Sequence, residues 1–332
     1  MSIDQVAVIA RRAMLAGARP DPAGSSMLSA NILRLLSEMA AVTNGAIVEV
    51  GSYIGGSIIA AARGVPADVQ RRILAIECGG SHDHPVFPSN DILRDLRANI
   101  AAAGLAERIK VVPKRAEEVY PYIGELLQGQ KIGLLVVDAD GLVGIHLPAI
   151  APHMAAGCVL VLDDYYDDQK GWRMRSFIAQ AVRNRVVESF GVCGWGTWIG
   201  RVINPVKLRL CAAFIHDSSS AWQVWIPDLP EGDNDEYPKR STATLLEDGV
   251  VLGPAHCLHN EIRNIGLGRW SHWGTRIYMS SSDNTDPTLN GRSYSLEVNG
   301  LVVPLNRPTT SIANRVARFM RRARRIFTAA LP

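Results

Sequence analysis

The sequence predicts an α/β protein built on a doubly wound, mostly parallel sheet, followed by a small all-β domain and a basic C-terminal helix. Three observations lead to this prediction. Up to residue 203, short apolar runs alternate with segments of helical periodicity, as in a parallel sheet covered by helices. After Asn204-Pro205 the apolar runs shorten, and turn dipeptides such as Asp248-Gly249 separate them. From Arg307 onward, the chain holds seven arginines and no acidic residue.

The predicted strands of the α/β domain are apolar runs bounded by polar or glycine-rich segments. They are Ala46–Val50, Arg72–Ile76, Ile109–Val112, Ile132–Val137, Gly157–Leu162, Arg185–Phe190 and Thr197–Ile203. The spacing of apolar residues predicts the intervening helices. These helices are Ser57–Ala62, Asp91–Ala103, Ala116–Leu127 and a short one around His146–Met154.

The chain after Asn204-Pro205 contains five short runs that predict a domain of about 100 residues made of strands. The runs are Leu208–Ile215, Trp222–Ile226, Thr242–Leu246, Arg276–Ser280 and Tyr294–Val298. The sequence therefore divides into an N-terminal helical segment (1–24), an α/β domain (25–204), an all-β domain (205–306) and a basic amphipathic tail (307–332).

Composition and charge exclude several classes of protein. Of the 332 residues, 47% are hydrophobic and 20% are charged, which is the balance of a globular protein. No apolar run approaches the ~18 residues that span a bilayer. The net charge is +3, and because the tail from Arg307 carries +7, the rest of the chain is at −4, so a nucleic-acid-binding body is not expected. The five scattered cysteines and the lack of a secretory signal favour a cytoplasmic location.

The first predicted strand ends in a glycine-rich turn, Glu49-Val-Gly51-Ser-Tyr-Ile-Gly55-Gly-Ser57. Dinucleotide-binding turns have the spacing G-x-G-x-x-G, which brings the backbone close to a pyrophosphate. The wider spacing here suits an adenosyl ligand with an amino-acid tail. Glu77 ends the second strand, 26 residues after Gly51, where a carboxylate can hold ribose hydroxyls.

This turn resembles motif I of the class I S-adenosylmethionine-dependent methyltransferases, and Ile73-Leu-Ala-Ile-Glu77 resembles motif II. Leu135-Val-Val-Asp138-Ala-Asp140-Gly141 and Leu160-Val-Leu-Asp163-Asp164-Tyr165 resemble the motifs after the fourth and fifth strands. Within the class, the two aspartate motifs are similar to those of macrocin-type sugar O-methyltransferases and, more distantly, catechol O-methyltransferase. The likeness covers residues 25–203 and implies a Rossmann-like fold.

The resemblance implies a binding site for S-adenosylmethionine at the carboxyl ends of the strands. Glu77 would bind the ribose, Ala116 and Glu117 would lie near the adenine, and Asp138 would close the site below the sulfonium. The turn would surround the methionine moiety through Glu49, Gly51, Ser52, Tyr53, Gly55 and Ser57.

Three aspartates, Asp138, Asp163 and Asp164, end two predicted strands. If these strands are neighbours, they lie about 4.8 Å apart, and the carboxylates at their ends repel one another unless a cation neutralises them. A divalent ion with oxygen ligands, Mg²⁺ in the first place, fits such a cluster, and a metal also lowers the pKa of a bound hydroxyl. The alternative is a solvated acidic turn that caps the helix beginning near Gly171.

The identity of a general base is open. Sugar O-methyltransferases of this type often carry His or Lys three residues after the first aspartate of the fourth-strand motif, and this sequence has Gly141 there. Asp140 and His146 are the candidates nearby, in that order, and His146 can equally be a packed or surface residue. His82 and His84 lie in the loop after the second strand, where loop decoration or substrate contact is expected rather than a ligand pair.

The C-terminal half predicts a role in recognition. Four tryptophans lie in the all-β domain, where they build the core or stack on sugar rings: Trp222, Trp225, Trp270 and Trp273. The stretch from Leu252 to Arg292 is similar to an accessory module of bacterial surface-polysaccharide enzymes, which implies a glycan ligand. In the tail, an apolar helical stripe beside the arginines is typical of binding to an anionic membrane surface, and a solubilising tail is the alternative.

These observations predict an S-adenosylmethionine-dependent O-methyltransferase, assisted by Mg²⁺, that acts on a sugar or glycan precursor. The location expected is the cytoplasm, including the inner face of the membrane. The sequence leaves the oligomeric state open, a homo-oligomer included. The alternative function is a non-catalytic glycan-binding protein on a methyltransferase-like scaffold. An iron hydroxylase on the same sheet lacks the two-histidine ligand set it would need.

Overall fold

The computed structural model describes residues 4–21, 26–139, 141–167, 170–209, 213–226, 229–274, 276–298 and 301–305. Asp140 and the tail 307–332 lie outside these residues. The chain divides into two compact units, Met1–Arg209 and Leu210–Pro332. None of the described helices is long and apolar enough to cross a membrane.

The first unit alternates helices and strands along the chain. Its helices are α1 (Asp4–Leu15), α2 (Ala30–Val42), α3 (Gly56–Gly64), α4 (Ile92–Ala102), α5 (Ala116–Val119), α6 (Ile123–Leu127), α7 (Val143–Ile150), α8 (Gly171–Arg183) and α9 (Pro205–Arg209). Its strands are β1 (Ala46–Val50), β2 (Ile73–Ile76), β3 (Ile109–Val112), β4 (Ile132–Val137), β5 (Met154–Leu162), β6 (Val187–Cys193) and β7 (Thr197–Val202).

These strands form one seven-stranded sheet in the order β3-β2-β1-β4-β5-β7-β6. The first five strands in this order are parallel, and β7 pairs antiparallel with both β5 and β6. Every residue of β1, β2 and β4 is buried, as expected where helices cover both faces of a sheet. The predicted doubly wound, mostly parallel sheet is therefore confirmed.

The register of the central strands sets the position of the site. Val50 of β1 is paired with Ile76 of β2 and with Val137 of β4, and Val137 is paired with Leu162 of β5. These four residues are the last of their strands, so all four strands end at one level. The residues that follow them therefore lie side by side along the same edge of the sheet.

The N-terminal helices cover one face of this sheet. Ile32, Leu35 and Leu36 of α2 belong to one buried cluster with apolar residues of α3 and of the central strands. Ile9 and Ala13 of α1 belong to the same cluster. The N-terminal segment is thus part of the hydrophobic core of the first unit.

Two predicted helices are interrupted where the chain contains proline. The helix predicted over 116–127 is divided by a 3₁₀ turn, Tyr120–Tyr122, that holds Pro121. The helix predicted around 146–154 ends at Ile150, a 3₁₀ turn with Pro152 follows, and β5 begins at Met154. Proline lacks a backbone N–H, so it disfavours continuation of an α-helix at both places.

The second unit consists of two four-stranded antiparallel sheets, in the orders β11-β10-β14-β15 and β12-β13-β9-β8. Both sheets contribute to one buried cluster, which includes Trp222, Trp270, Tyr294 and Leu296. The strands are β8 (Ala213–Ser218), β9 (Ala221–Trp225), β10 (Thr244–Glu247), β11 (Val250–Val251), β12 (Trp270–Trp273), β13 (Arg276–Met279), β14 (Tyr294–Val298) and β15 (Leu301–Pro304). The described residues of this unit also form one short helix, α10 (His259–Asn264).

The strand predicted over 208–215 is wrong in its first part. Residues 205–209 form α9 because Asn204-Pro205 is a strong helix start. The side-chain oxygen of Asn204 accepts a hydrogen bond from the N–H of Lys207 at 3.0 Å, and Pro205 occupies the first helical position. The strand β8 begins only at Ala213.

Candidate functional site

Four residues with the chemistry expected of the site follow the ends of neighbouring strands. Glu77, Gly51, Asp138 and Asp163 come directly after β2, β1, β4 and β5. Backbone hydrogen bonds extend the ladder to this level, from Gly51 to Ile76, from Asp138 to Val50 and from Asp163 to Val137. The structure thus brings together residues that are up to 112 positions apart in the sequence.

Gly51 is the position where the turn has least space. Its φ is +83°, and a Cβ atom there would lie 1.9 Å from the carbonyl oxygen of Asp138. A side chain is excluded both by the left-handed backbone and by the neighbouring strand. The turn after β1 is therefore packed directly against the residue after β4.

We expect Gly51→Ala to destabilise the protein by about 2 kcal/mol more than Gly129→Ala. Gly129 is the matched control because its φ is +82° and a Cβ there meets nothing within 4 Å. Both variants pay the left-handed backbone penalty, and only Gly51→Ala adds a steric overlap. Urea unfolding measures the difference. Equal losses of stability would contradict the close contact with Asp138.

The turn continues through a second unusual backbone position. Tyr53 has a φ of +45°, and its N–H donates to Oε2 of Glu77 at 2.8 Å. The other Glu77 oxygen accepts from the N–H of Gly79 at 2.9 Å. Two backbone donors thus fix the Glu77 carboxylate, which keeps acceptor capacity for further hydroxyl groups.

Glu49 lies beneath the turn and is fully buried. Neither oxygen of its carboxylate has a hydrogen-bond partner of normal geometry, and the same holds for the hydroxyl of Ser52. Burial raises the pKa of Glu49 to about 7, although contacts with the hydroxyls of Ser57 and Ser52 and with the N–H of Ile58 oppose this rise. None of these contacts has the geometry of a normal hydrogen bond. A buried carboxylate with such weak contacts is costly, and a cationic group of a ligand would compensate for it.

The three aspartates predicted to hold a metal do form a cluster. Asp138, Asp163 and Asp164 each offer a carboxylate oxygen, and these oxygens lie within 4.8 Å of one another. Thr197 donates a hydrogen bond to Asp163 at 2.7 Å. Among the described residues, this is the one group of three or more metal-ligating side chains that the structure brings together.

The cluster is electrostatically strained. Burial raises the pKa of Asp138 well above its ordinary value, and the charges of Asp163 and Asp164 raise it further. The pKa of Asp163 is raised as well, mainly by burial. The ammonium group of Lys170 lies 3.5 Å from Asp164 and partly offsets this repulsion. The donor set, all carboxylate oxygens, fits a hard divalent cation such as Mg²⁺.

A small cavity lies between the glycine-rich turn and the segment that precedes α2. Its volume is about 20 Å³, which is room for about one water molecule. The predicted residues in its wall are Gly51, Ser52, Tyr53, Gly55, Ser57 and Asp138. Ser26, Met27 and Leu28 form the opposite wall, and no sequence signal pointed to them. This volume is far smaller than S-adenosylmethionine.

Of the two candidates for a general base, Asp140 lies outside the described residues, and His146 is packed in the interior of the first unit. His146 is buried in α7, where Nδ1 is hydrogen-bonded to the hydroxyl of Tyr120. Gly141 has a φ of +66°, and a Cβ there would lie 2.5 Å from the carbonyl oxygen of Lys170. The backbone of Lys170 therefore occupies the space that a His or Lys side chain at position 141 would need.

The remaining candidates lie near the turn or at its periphery. Ala116 and Glu117 begin α5, just after β3, and Ala116 is buried while Glu117 is exposed. In the loop after β2, the ring of His82 lies edge-on to Tyr53 at 5.7 Å between centroids. The ring of His84 stacks on Phe87 in the same loop.

Residues 48–165 match the family model that is described as a methyltransferase domain. No curated protein matches the chain.

Similar solved structures include an O-methyltransferase from Bacillus cereus in complex with SAH, with 18% identity, 61% of this chain and 90% of that chain covered, and a TM-score of 0.44. TomG from Streptomyces achromogenes, an O-methyltransferase of tomaymycin synthesis solved with SAM, has 20% identity, coverages of 61% and 89%, and a TM-score of 0.43. The O-methyltransferase NovP is 14% identical to this chain, with 61% of this chain and 96% of that chain covered and a TM-score of 0.44.

The first unit thus has the fold of class I methyltransferases, with five parallel strands, an antiparallel β7 between β5 and β6, and a glycine-rich turn after β1. The family match covers that turn and the strands β2 to β5. The predicted resemblance to a methyltransferase domain is confirmed for residues 48–165.

Proposed function

We propose that the protein is an S-adenosylmethionine-dependent O-methyltransferase. The observation that carries the proposal is the buried carboxylate of Glu49 below the glycine-rich turn, which has no hydrogen bond of normal geometry and lies in the segment that matches a methyltransferase domain. A buried anion with such weak contacts is expected where a cationic ligand binds. The positively charged methionine end of S-adenosylmethionine is such a ligand, and its sulfonium supplies the methyl group.

In this proposal, the residues of the turn and of the neighbouring strand ends bind different parts of the cofactor. Glu49 and Ser52 accept and donate hydrogen bonds at the amino-acid end, and Ser57 lies beside them. Glu77 receives the ribose hydroxyls because its carboxylate is already fixed by two backbone N–H groups. Gly51 and Gly55 let the turn pack closely against Asp138 and Leu96, and we place Ala116 and Glu117 on the adenine side.

We further propose that Asp138, Asp163 and Asp164 hold Mg²⁺. Their mutual repulsion and their oxygen donors support this assignment. A bound Mg²⁺ would lower the pKa of the acceptor hydroxyl and orient it. Lys170 is the competing neutralising group, because its ammonium lies beside Asp164. Asp140 and His146 stay the candidates for a general base, and the burial of His146 against Tyr120 speaks for a structural role.

For the acceptor, we propose the hydroxyl of a sugar or glycan precursor. The resemblance that the sequence suggests between Leu252–Arg292 and a module of surface-polysaccharide enzymes is the reason for this choice. Trp222 and Trp270 lie in the core of that unit, and Trp273 is partly exposed. A cytoplasmic enzyme whose basic tail associates with the inner face of the membrane is part of the same proposal, and its oligomeric state is open.

A non-catalytic glycan-binding protein is the second candidate, favoured by the missing side chain at position 141. Titration calorimetry with S-adenosylmethionine, with and without Mg²⁺, separates the two. We expect saturable binding, which Mg²⁺ strengthens, and conversion to S-adenosylhomocysteine in the presence of sugar acceptors. Without any binding of S-adenosylmethionine, only the second candidate would stand.

A further inference from the structure

A groove between α1 and α2 is the larger of the two cavities described for the first unit. Its volume is about 280 Å³. Alanines line the seam between the helices, so the groove is not filled by side chains. The residues in its wall are Arg12, Ala13, Ala16 and Arg19 from α1 and the chain after it, and Ala30, Asn31, Arg34, Leu35 and Glu38 from α2. This volume is close to the lower end for small-molecule sites.

The groove is strongly basic. Its wall carries three guanidinium groups and one carboxylate. Two of the arginines share the carboxylate of Glu38. Arg12 forms an ion pair with it across the groove, and Nε of Arg34, one turn earlier in α2, donates to it at 2.9 Å. Arg19 has no ion-pair partner among the residues that the structure describes. Two positive charges are therefore left uncompensated at a concave site, although the chain before the tail is net acidic.

The residues in the wall of the groove indicate which class of ligand it would bind. The planar guanidinium group presents paired N–H donors that match phosphate oxygens, and two net positive charges complement a phosphate dianion. The N-terminus of the 13-residue helix α2 lies at the same groove and adds a partial positive charge. The floor formed by Ala13, Ala16 and Leu35 is apolar, which favours an organic group over a bare inorganic ion.

The groove also shares a chain segment with the cofactor cavity. Ser26–Leu28 line that cavity, and Ala30 and Asn31 line the groove. Since consecutive Cα atoms are 3.8 Å apart, Leu28 and Ala30 are at most about 7.6 Å apart. A ligand in the groove would therefore bind next to the segment that lines the cofactor cavity.

We propose that the α1–α2 groove is a binding site for a small organic phosphate, with Arg19 and Arg34 as its phosphate contacts. The site is separate from the cofactor cavity and does not depend on the methyl-transfer reaction. The organic phosphate is either an anionic part of the acceptor or an independent effector, and both present the same chemistry to the arginines.

Phenyl phosphate is a suitable probe because it combines a phosphate dianion with an apolar ring. We expect it to bind the full-length protein saturably in calorimetry, and we expect phenol to show no binding. Arg19→Ala should weaken binding about tenfold, the value of one charged hydrogen bond, and Arg34→Ala should weaken it similarly. Arg11→Ala is the matched control, since Arg11 is an exposed arginine of α1 outside the groove.

Several results would overturn the proposal. The proposal is wrong if the protein shows no saturable binding at millimolar concentrations of phenyl phosphate. An equal effect of Arg11→Ala would also overturn it, because it would indicate general surface attraction. Binding that Arg19→Ala and Arg34→Ala leave unchanged, and that S-adenosylmethionine displaces, would place the probe in the cofactor cavity instead. Retained affinity in the presence of S-adenosylmethionine supports the groove, and competition with an acceptor would then assign the phosphate to the acceptor.

Discussion

Asp138→Asn is expected to abolish the response of the protein to Mg²⁺ and to lower methyl transfer by about 10³-fold. The amide removes one of three clustered carboxylates and with it the charge that binds a divalent cation. Loss of metal assistance to a bound hydroxyl costs several kcal/mol in the transition state, about 4 kcal/mol for this rate change. Formation of S-adenosylhomocysteine from a sugar acceptor measures the rate, and the Mg²⁺-dependent shift in Tm measures binding.

The same substitution should stabilise the protein without metal. Burial and the neighbouring carboxylates raise the pKa of Asp138 because the ionised form is disfavoured there, so a neutral side chain removes repulsion. Asp68→Asn is the control, since Asp68 is exposed and far from the cluster in sequence. A Tm without Mg²⁺ that falls, together with an unchanged Mg²⁺ response, would refute the metal site.

Lys170 allows a second check on the cluster. Because its ammonium lies beside Asp164, it competes with any cation for the same negative charge. Lys170→Ala should therefore increase the affinity for Mg²⁺. If Mg²⁺ has no effect on either variant or on the wild type, Lys170 is the neutralising group and the transferase works without a metal.

Glu49→Gln is expected to weaken binding of S-adenosylmethionine by about 10- to 100-fold and, in the same variant, to stabilise the ligand-free protein. The affinity falls because a hydrogen bond to a charged group contributes about 1.5–3 kcal/mol. The stability rises because the amide carries no charge to be desolvated in this buried position. We expect a gain of about 1–3 kcal/mol at pH 8. Glu107→Gln, at an exposed position, is the control for both quantities.

Glu49 should make the free energy of unfolding decrease as the pH rises. The pKa of Glu49 is about 7 in the folded state and near 4.5 when unfolded, so the folded state holds this proton more tightly. Its contribution to the free energy of unfolding is therefore fully present below about pH 4.5, decreases as the pH rises, and is lost above about pH 7. Urea unfolding between pH 5 and pH 8 should show this decrease in the wild type and a smaller one in Glu49→Gln. A Glu49→Gln protein that is less stable at pH 8, yet binds the cofactor normally, would make Glu49 a structural residue.

Much of the site was predictable from local sequence. The glycine-rich turn, the carboxylate at Glu77 and the aspartates after two apolar runs are local patterns, and a parallel sheet places such residues at one edge. The position of Ser26–Leu28 was not predictable, because nothing in its composition distinguishes it from any other connection. The helix α9 was missed because Asn204-Pro205 was interpreted as a domain boundary and Leu208–Ile215 as one strand, although Asn204-Pro205 is also a helix start.

The sequence by itself determined the order of helices and strands, the turn after β1 and the types of residue at each strand end, since these depend on periodicity and on residue chemistry. Only the tertiary structure decided the strand order and the common level of β2, β1, β4 and β5, because pairing between distant segments depends on packing. It also decided that Lys170 fills the space beside Gly141 and that Glu49 is buried without a hydrogen bond of normal geometry. Burial and contact between residues far apart in the chain are properties of the folded molecule, and they determine which carboxylates can carry out chemistry.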